Sequence, residues 1–232
     1  GFSPSGVLIL GMGGSGIGGA IASDILSGTS EVPVISNSDY IIPGWVSSGT
    51  LVLACSYSGN TEETIEAVRS AHKRGATIAV ITSGGELGEL AKNNNWPMVS
   101  MPGGQPPRSQ FGRSFIGLAW TLMQFGCFPE KMYSELEGTS KSTAEAFETV
   151  RQQAESLADL VEGKTILLYS DTRTGAIATR WRQQLNENSK LLVNTQLFPE
   201  MNHNELVGWD SGNESYVAVI LRTPEDHKRT QF

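Results

Sequence analysis

Two short stretches of this chain carry the residue types that hold an anion. The first is GMGGSGIGG, Gly11–Gly19, directly after the apolar run Val7–Leu10; it contains Gly-x-Gly-x-x-Gly at Gly11, Gly13 and Gly16. The second is SYSGNTEET, Ser56–Thr64, directly after the apolar run Leu51–Cys55. Glycine lets a backbone approach a ligand closely, and a helix N-terminus offers N–H groups with a favourable dipole. Taken alone, the first turn suits the pyrophosphate of a dinucleotide or a smaller phosphate. A dinucleotide site wants an acidic residue at the end of the second strand, about twenty residues on. Asp39 stands near that place, but Ser36-Asn37-Ser38 comes first and Pro33 falls inside the strand. In the second turn Ser56, Ser58 and Thr61 offer three hydroxyls within six positions. Each can donate to an oxyanion, and none brings a charge that must be desolvated. Asn60-Thr61 is placed to cap the helix that follows.

The elements that must position these turns alternate. Val7–Leu10, Val32–Ser36, Leu51–Cys55, Thr77–Thr82 and Met98–Met101 read as strands. Ile17–Leu26, Thr61–Lys73 and Ser109–Phe125 read as helices. Such alternation implies βαβ crossovers and a parallel sheet covered on both faces, an α/β fold. Ligands bind at the carboxyl ends of strands in such folds, where both turns fall. Gly126–Gly138 reads as a connector and Ser142–Val161 as a long polar helix. The rhythm then restarts with a strand Thr165–Ser170, a helix Thr174–Asn186, strands Leu191–Thr195 and Tyr216–Leu221, and a helix opening at Thr223-Pro224-Glu225-Asp226. The expected organisation is a first α/β unit over residues 1–130, a connector with a long helix over 131–162, and a second unit over 163–232. With three strands, the second unit is expected to be incomplete at its C-terminus.

The formal net charge of −7 argues against a nucleic-acid surface, though backbone N–H groups bind phosphate without net basic charge. Two cysteines, Cys55 and Cys127, make no disulfide framework and show no ligand spacing; a reducing compartment and no metal are expected. No targeting segment and no apolar stretch of membrane-spanning length is visible, so a cytoplasmic protein is expected.

GMGGSG followed by SYSGNTEET is similar to the sugar isomerase (SIS) fold. PPRSQFG (Pro106–Gly112), LNENSK (Leu185–Lys190) and PEMNHNELVGW (Pro199–Trp209) narrow the likeness. Together, from Val7 to the last strand, they resemble the bifunctional phosphoglucose/phosphomannose isomerase family, a branch of the phosphoglucose isomerase superfamily. The resemblance implies two SIS-type, flavodoxin-like αβα subdomains and an aldose–ketose isomerase of hexose 6-phosphates that needs no cofactor. It implies that Ser56, Ser58 and Thr61 hold the phosphate, and that Gly13, Gly14 and Ser15 lie near the sugar. It further implies Arg108 next to the reacting carbons, Glu187 as the base and His203 as the group that opens the sugar ring. Family members form dimers with the site at the subunit interface, His203 being donated across it.

The chemistry asks for such groups. Moving one proton between C1 and C2 through a cis-enediol needs one base within reach of both carbons. A carboxylate at its usual pKa of about 4.3 is a weak base, so Glu187 is expected to be partly buried. An arginine can stabilise the enediolate, and histidine titrates in the range that ring opening needs. Without the resemblance, Glu187 reads as a solvated helix-end carboxylate and His203 as a loop hydrogen-bonding group. Glu200 and Glu205 flank His203 and could orient it, His72 reads as a helix-end contact, and Trp181 and Trp209 read as packing. Two alternatives remain: a non-catalytic sugar-phosphate-binding SIS module, and a dinucleotide-binding oxidoreductase built on Gly11–Gly16. The second leaves SYSGNT without a task.

Overall fold

The structure is a computed structural model that describes residues 2–212 and 214–230. The chain divides into two units, Gly1–Tyr133 and Ser134–Phe232.

The first unit contains β1 (Gly6–Leu10), α1 (Gly13–Leu26), β2 (Val34–Asn37), β3 (Thr50–Cys55), α2 (Glu62–Lys73), β4 (Thr77–Thr82), α3 (Gly85–Asn93), β5 (Met98–Ser100) and α4 (Phe111–Gln124). Its five strands are all parallel, in the order β2-β1-β3-β4-β5. Every residue of β1 and β3 is buried, which explains why both read as unbroken apolar runs. On one face Leu8, Leu10, Val52, Ala54, Ile78 and Val80 meet Val68, Ala71 and Leu87 from α2 and α3. The other face carries α1 and α4. In this strand order the chain reverses its winding direction between β1 and β3, and a crevice opens there at the strand ends. The GMGGSG and SYSGNT turns leave those two strands and form its two walls.

α5 (Glu130–Glu145) begins in the first unit and ends in the second. The second unit continues with α6 (Phe147–Val161), β6 (Thr165–Asp171), α7 (Gly175–Gln184), β7 (Asn194–Phe198), α8 (Glu205–Gly208) and β8 (Tyr216–Leu221). Its sheet is parallel in the order β7-β6-β8. Ile166, Leu168 and Val193 make one core with Trp181 and Leu185 packed on it; Tyr169, Phe198 and Met201 make another with Trp209. Both tryptophans pack, as expected.

Four expectations are corrected. The connector at Gly126–Gly138 is largely helix, since α5 starts at Glu130; α5 buries no residue, so no apolar period marks it. The strand expected at Leu191–Thr195 lies at Asn194–Phe198, because a π turn over Leu185–Ser189 and left-handed Lys190 (φ 59°) use up residues after α7. Leu191 and Leu192 are exposed there instead of paired. α3 was not foreseen: Ser83-Gly84-Gly85 resembles loop, and only Leu87, Gly88 and Ala91 of the helix are buried. Thr223–Asp226 forms a turn and no helix, closed by Asp226 N–H donating to Thr223 O at 3.2 Å and Thr223 Oγ1 donating to Asp226 Oδ1 at 2.9 Å. No helix among the described residues is long and apolar enough to cross a membrane.

Candidate active site

α1 starts at Gly13, and the N–H groups of Gly13 and Gly14 belong to its first turn, where helices leave donors without internal acceptors, while Ser15 N–H donates to Met12 O at 3.0 Å. Close packing explains the glycines: a Cβ on Gly16 would stand 2.3 Å from Gly11 O. Ser15 Oγ accepts a 3.0 Å bond from Tyr57 N–H, which joins the first turn to the second. The second strand offers no acidic residue at its end. β2 ends in Asn37, Ser38 Oγ donates to Gly11 O at 2.8 Å, and Asp39 Oδ1 accepts from Ile41 N–H within its own turn. The features a dinucleotide ribose would use are therefore engaged locally.

In the second turn Ser56 is buried and its Oγ lies 2.8 Å from Thr61 Oγ1, while Gly59 N–H donates to Ser56 Oγ at 3.1 Å. Two hydroxyls that share one hydrogen bond keep one O–H to aim outward. Ser58 is exposed, and its Oγ accepts from Asn60 N–H at 3.2 Å. Gly59 has φ +71°, and a Cβ there would lie 1.8 Å from Gly84 O, so glycine is required twice over. Thr61 occupies the N-cap position of α2 but makes no capping bond, contrary to expectation; its hydroxyl goes to Ser56. Asn60 also serves elsewhere, its Oδ1 accepting from Glu86 N–H at 3.0 Å in the first turn of α3.

Arg108 lies in a 3-10 turn, Pro107–Ser109, on an exposed loop. Its backbone packs on the first turn: a Cβ on Gly14 would stand 3.4 Å from Arg108 N. A small cleft lined by Gly14, Ser15, Ser56, Tyr57, Pro107 and Gln110 joins these parts. The first unit thus brings together Gly13, Gly14, Ser15, Ser56, Ser58, Thr61 and the loop of Arg108. Sequence reasoning missed Tyr57, whose hydroxyl donates to Pro102 O at 2.8 Å and accepts from Gln105 N–H at 3.1 Å.

Glu187 and His203 lie in the second unit. Glu187 sits in the π turn after α7 and is exposed in this chain, where partial burial was expected. Its negative charge acts on Arg180, whose pKa burial lowers and Glu187 raises. His203 is exposed and ends a 3-10 turn, Glu200–His203, after β7. That turn is anchored by buried Met201. Beside it Tyr169 OH donates to Glu205 Oε1 at 2.5 Å and accepts from Trp209 Nε1–H at 3.1 Å. Burial and the hydrogen bond to Glu205 push the Tyr169 phenol up to about 12. Glu205 thus meets Tyr169, while Glu200 Oε1 accepts from Asn204 Nδ2 at 3.1 Å. Topology separates Glu187 from His203. α7 runs back from the end of β6, so Glu187 lies at the edge where β6 and β7 begin. His203 follows the end of β7, whose five residues span roughly 17 Å at about 3.3 Å each. Within one chain the two residues therefore belong to opposite ends of β7.

Comparison with known proteins gives the family of the chain. The chain is 37% identical over 234 residues to the bifunctional phosphoglucose/phosphomannose isomerase of Caldicellulosiruptor bescii, covering 96% of this chain and 69% of that protein. It is 35% identical over 230 residues to the enzyme of the same name from Aquifex aeolicus, covering 98% of this chain and 70% of that one. The chain belongs to the bifunctional phosphoglucose/phosphomannose isomerase family. In keeping with that family, residues 3–96 match the SIS domain model and residues 150–232 the bacterial phospho-glucose isomerase C-terminal SIS domain model. The α/β fold with SIS-type parallel sheets is shared with a crystal structure of a putative phosphosugar isomerase from Clostridium difficile, at TM-score 0.74 and 17% identity, over 98% of this chain and 68% of that one.

Proposed function

We propose that this protein interconverts the aldose and ketose forms of hexose 6-phosphates: glucose 6-phosphate, and mannose 6-phosphate, with fructose 6-phosphate. The observation that carries the proposal is the pair of turns flanking the β1/β3 crevice in a chain of this family. Ser56, Ser58 and Thr61 donate to the phosphate, helped by the N-terminus of α2. Gly13, Gly14 and Ser15 hold the sugar end. The ring is opened by His203 of the partner subunit. Glu187 takes the proton from C2 of the aldose, leaving a cis-enediol(ate), and returns it to C1 while the hydroxyl proton passes from O2 to O1 and the carbonyl forms at C2, so no atom is gained or lost. The Arg108 guanidinium stabilises the charge that develops on the enediolate oxygens.

The opposite placement of Glu187 and His203 supports a homodimer in which each site draws these residues from different chains. Pairing with another chain would also cover Glu187 and supply the burial that a carboxylate base needs. The chain's net charge of −7 and its family support a phosphate ester rather than a nucleic acid or a membrane as its partner, and the cytoplasm is the compartment proposed.

The test is the reaction of glucose 6-phosphate in heavy water, followed by NMR, with wild type and Glu187→Gln. The proposal expects partial deuterium at C1 of the fructose 6-phosphate formed by wild type, from turnovers in which the proton held on Glu187 exchanges with solvent before its return. In Glu187→Gln it expects turnover lower by about 10²–10⁴-fold, with sugar-phosphate binding retained. Substantial residual turnover in the variant would remove Glu187 as the base. Product formed with no exchange at C1 would argue against a base-exchanged enediol.

A further inference from the structure

The loop that carries Arg108 runs along the surface of the first unit. Residues 102–109 are exposed, Gly103-Gly104 gives it freedom (φ +87° at Gly104), and Pro102, Pro106 and Pro107 lack N–H groups. At its start Met101 N–H donates to Thr82 O at 2.8 Å, and at its end Ser109 and Gln110 close the 3-10 turn on Pro106 and Pro107. Between these points the Tyr57 hydroxyl grips it twice, at Pro102 O and Gln105 N–H. Tyr57 is buried, and both bonds reach from it to the exposed loop as partly buried contacts.

The backbone of the same residue is fixed by three other bonds. Its N–H donates to Ser15 Oγ at 3.0 Å, and its carbonyl accepts from Ser83 N–H at 3.0 Å and from Ser83 Oγ at 2.6 Å. Tyr57 lies between Ser56 and Ser58. One residue therefore touches the first turn, forms the middle of the second, and holds the loop whose far end rests on Gly14.

We propose that Tyr57 is a positioning residue that couples occupancy of the Ser56–Thr61 turn to placement of Arg108. The inference rests on the assignment of that turn to the phosphate. An anion bound by Ser56, Ser58 and Thr61 stiffens the backbone on both sides of Tyr57. The ring carries that constraint to Pro102 and Gln105, and the loop then holds the guanidinium in place. The phosphate, remote from the reacting carbons, thereby contributes to the chemical step as well as to binding.

The test compares wild type with Tyr57→Phe, which keeps the ring and deletes the grip, in the full natural chain. Amide hydrogen exchange is read at 58–61 and at 103–105, 108 and 109, with and without inorganic phosphate. The expected result is phosphate-induced slowing at both places in wild type. In Tyr57→Phe the slowing at 58–61 stays and that at the loop is lost. Kinetically, kcat on fructose 6-phosphate falls about tenfold to a hundredfold while KM moves less than about threefold. Loop slowing that persists in Tyr57→Phe would overturn the coupling while leaving the phosphate assignment standing, as would a raised KM with unchanged kcat. No slowing at 58–61 in wild type would overturn the phosphate assignment and the coupling with it.

Discussion

Ser56 and Ser58 sit two residues apart in one turn but meet different partners. Ser56 is buried and its oxygen organises the turn through Gly59 and Thr61; Ser58 is exposed and touches the backbone only at Asn60. Replacing either with alanine removes a donor to the phosphate, and a hydrogen bond to a charged group is worth about 1.5–3 kcal/mol. Each substitution is therefore expected to raise KM for fructose 6-phosphate by about tenfold or more with a smaller change in kcat. Ser56→Ala additionally removes the Oγ contacts to Thr61 and Gly59, although Gly59 N–H keeps its 3.1 Å bond to Ser56 O, and costs about 0.5–1.5 kcal/mol of stability, whereas Ser58→Ala stays within about 0.5 kcal/mol. Steady-state kinetics and urea titration of the two variants check this; an unchanged KM in both would reject the phosphate assignment. These hydroxyls were legible in the sequence because type and spacing alone expose them. Tyr57 was not, because its role depends on what its hydroxyl meets 45 and 48 residues away. The capping role expected of Thr61 failed for a related reason: sequence position cannot tell a helix-capping hydroxyl from one already bound to a neighbouring serine.

Among the elements, the buried parallel strands were the easiest to read, since β1, β3 and β4 are continuous apolar runs with turns at both ends. The elements that were missed or misplaced bury little. α5 and α6 have no buried residue, α3 buries three, and β7 shows its apolar residues only at Leu197 and Phe198. β6 and α8 are tied together by Tyr169, Glu205 and Trp209, and this tie has a pH signature. An unfolded tyrosine titrates near pH 10 and Tyr169 in the fold near about 12. Its neutral form is favoured in the fold, so its contribution to stability is fully present below about pH 10 and is lost as pH climbs toward 12. Chemical denaturation between pH 8 and pH 12 is expected to show a decline in wild type that is shallower in Tyr169→Phe. Equal slopes in the two proteins would mean that Tyr169 does not contribute to alkaline sensitivity.

At the scale of the whole molecule, the candidate site is divided. The Ser56–Thr61 turn, the Gly13–Ser15 turn and the Arg108 loop belong to the first unit; Glu187 and His203 belong to opposite ends of β7 in the second. The sequence motifs name all of these residues but say nothing about where Glu187 stands relative to His203, because that follows from the direction of α7 between β6 and β7. If each site takes Glu187 from one chain and His203 from its partner, two inactive variants can restore one another. The most direct measurement is fructose 6-phosphate isomerisation by wild type, Glu187→Gln, His203→Ala, and an equal mixture of the two variants refolded together, with wild type refolded alike as the reference. In a mixed dimer one site collects both substitutions and the other collects none; half the dimers are mixed, so about a quarter of the wild-type rate is expected from two nearly silent parents. A mixture as silent as its parents would contradict the shared site, and a wild type that isomerises no hexose 6-phosphate would contradict the proposed reaction itself.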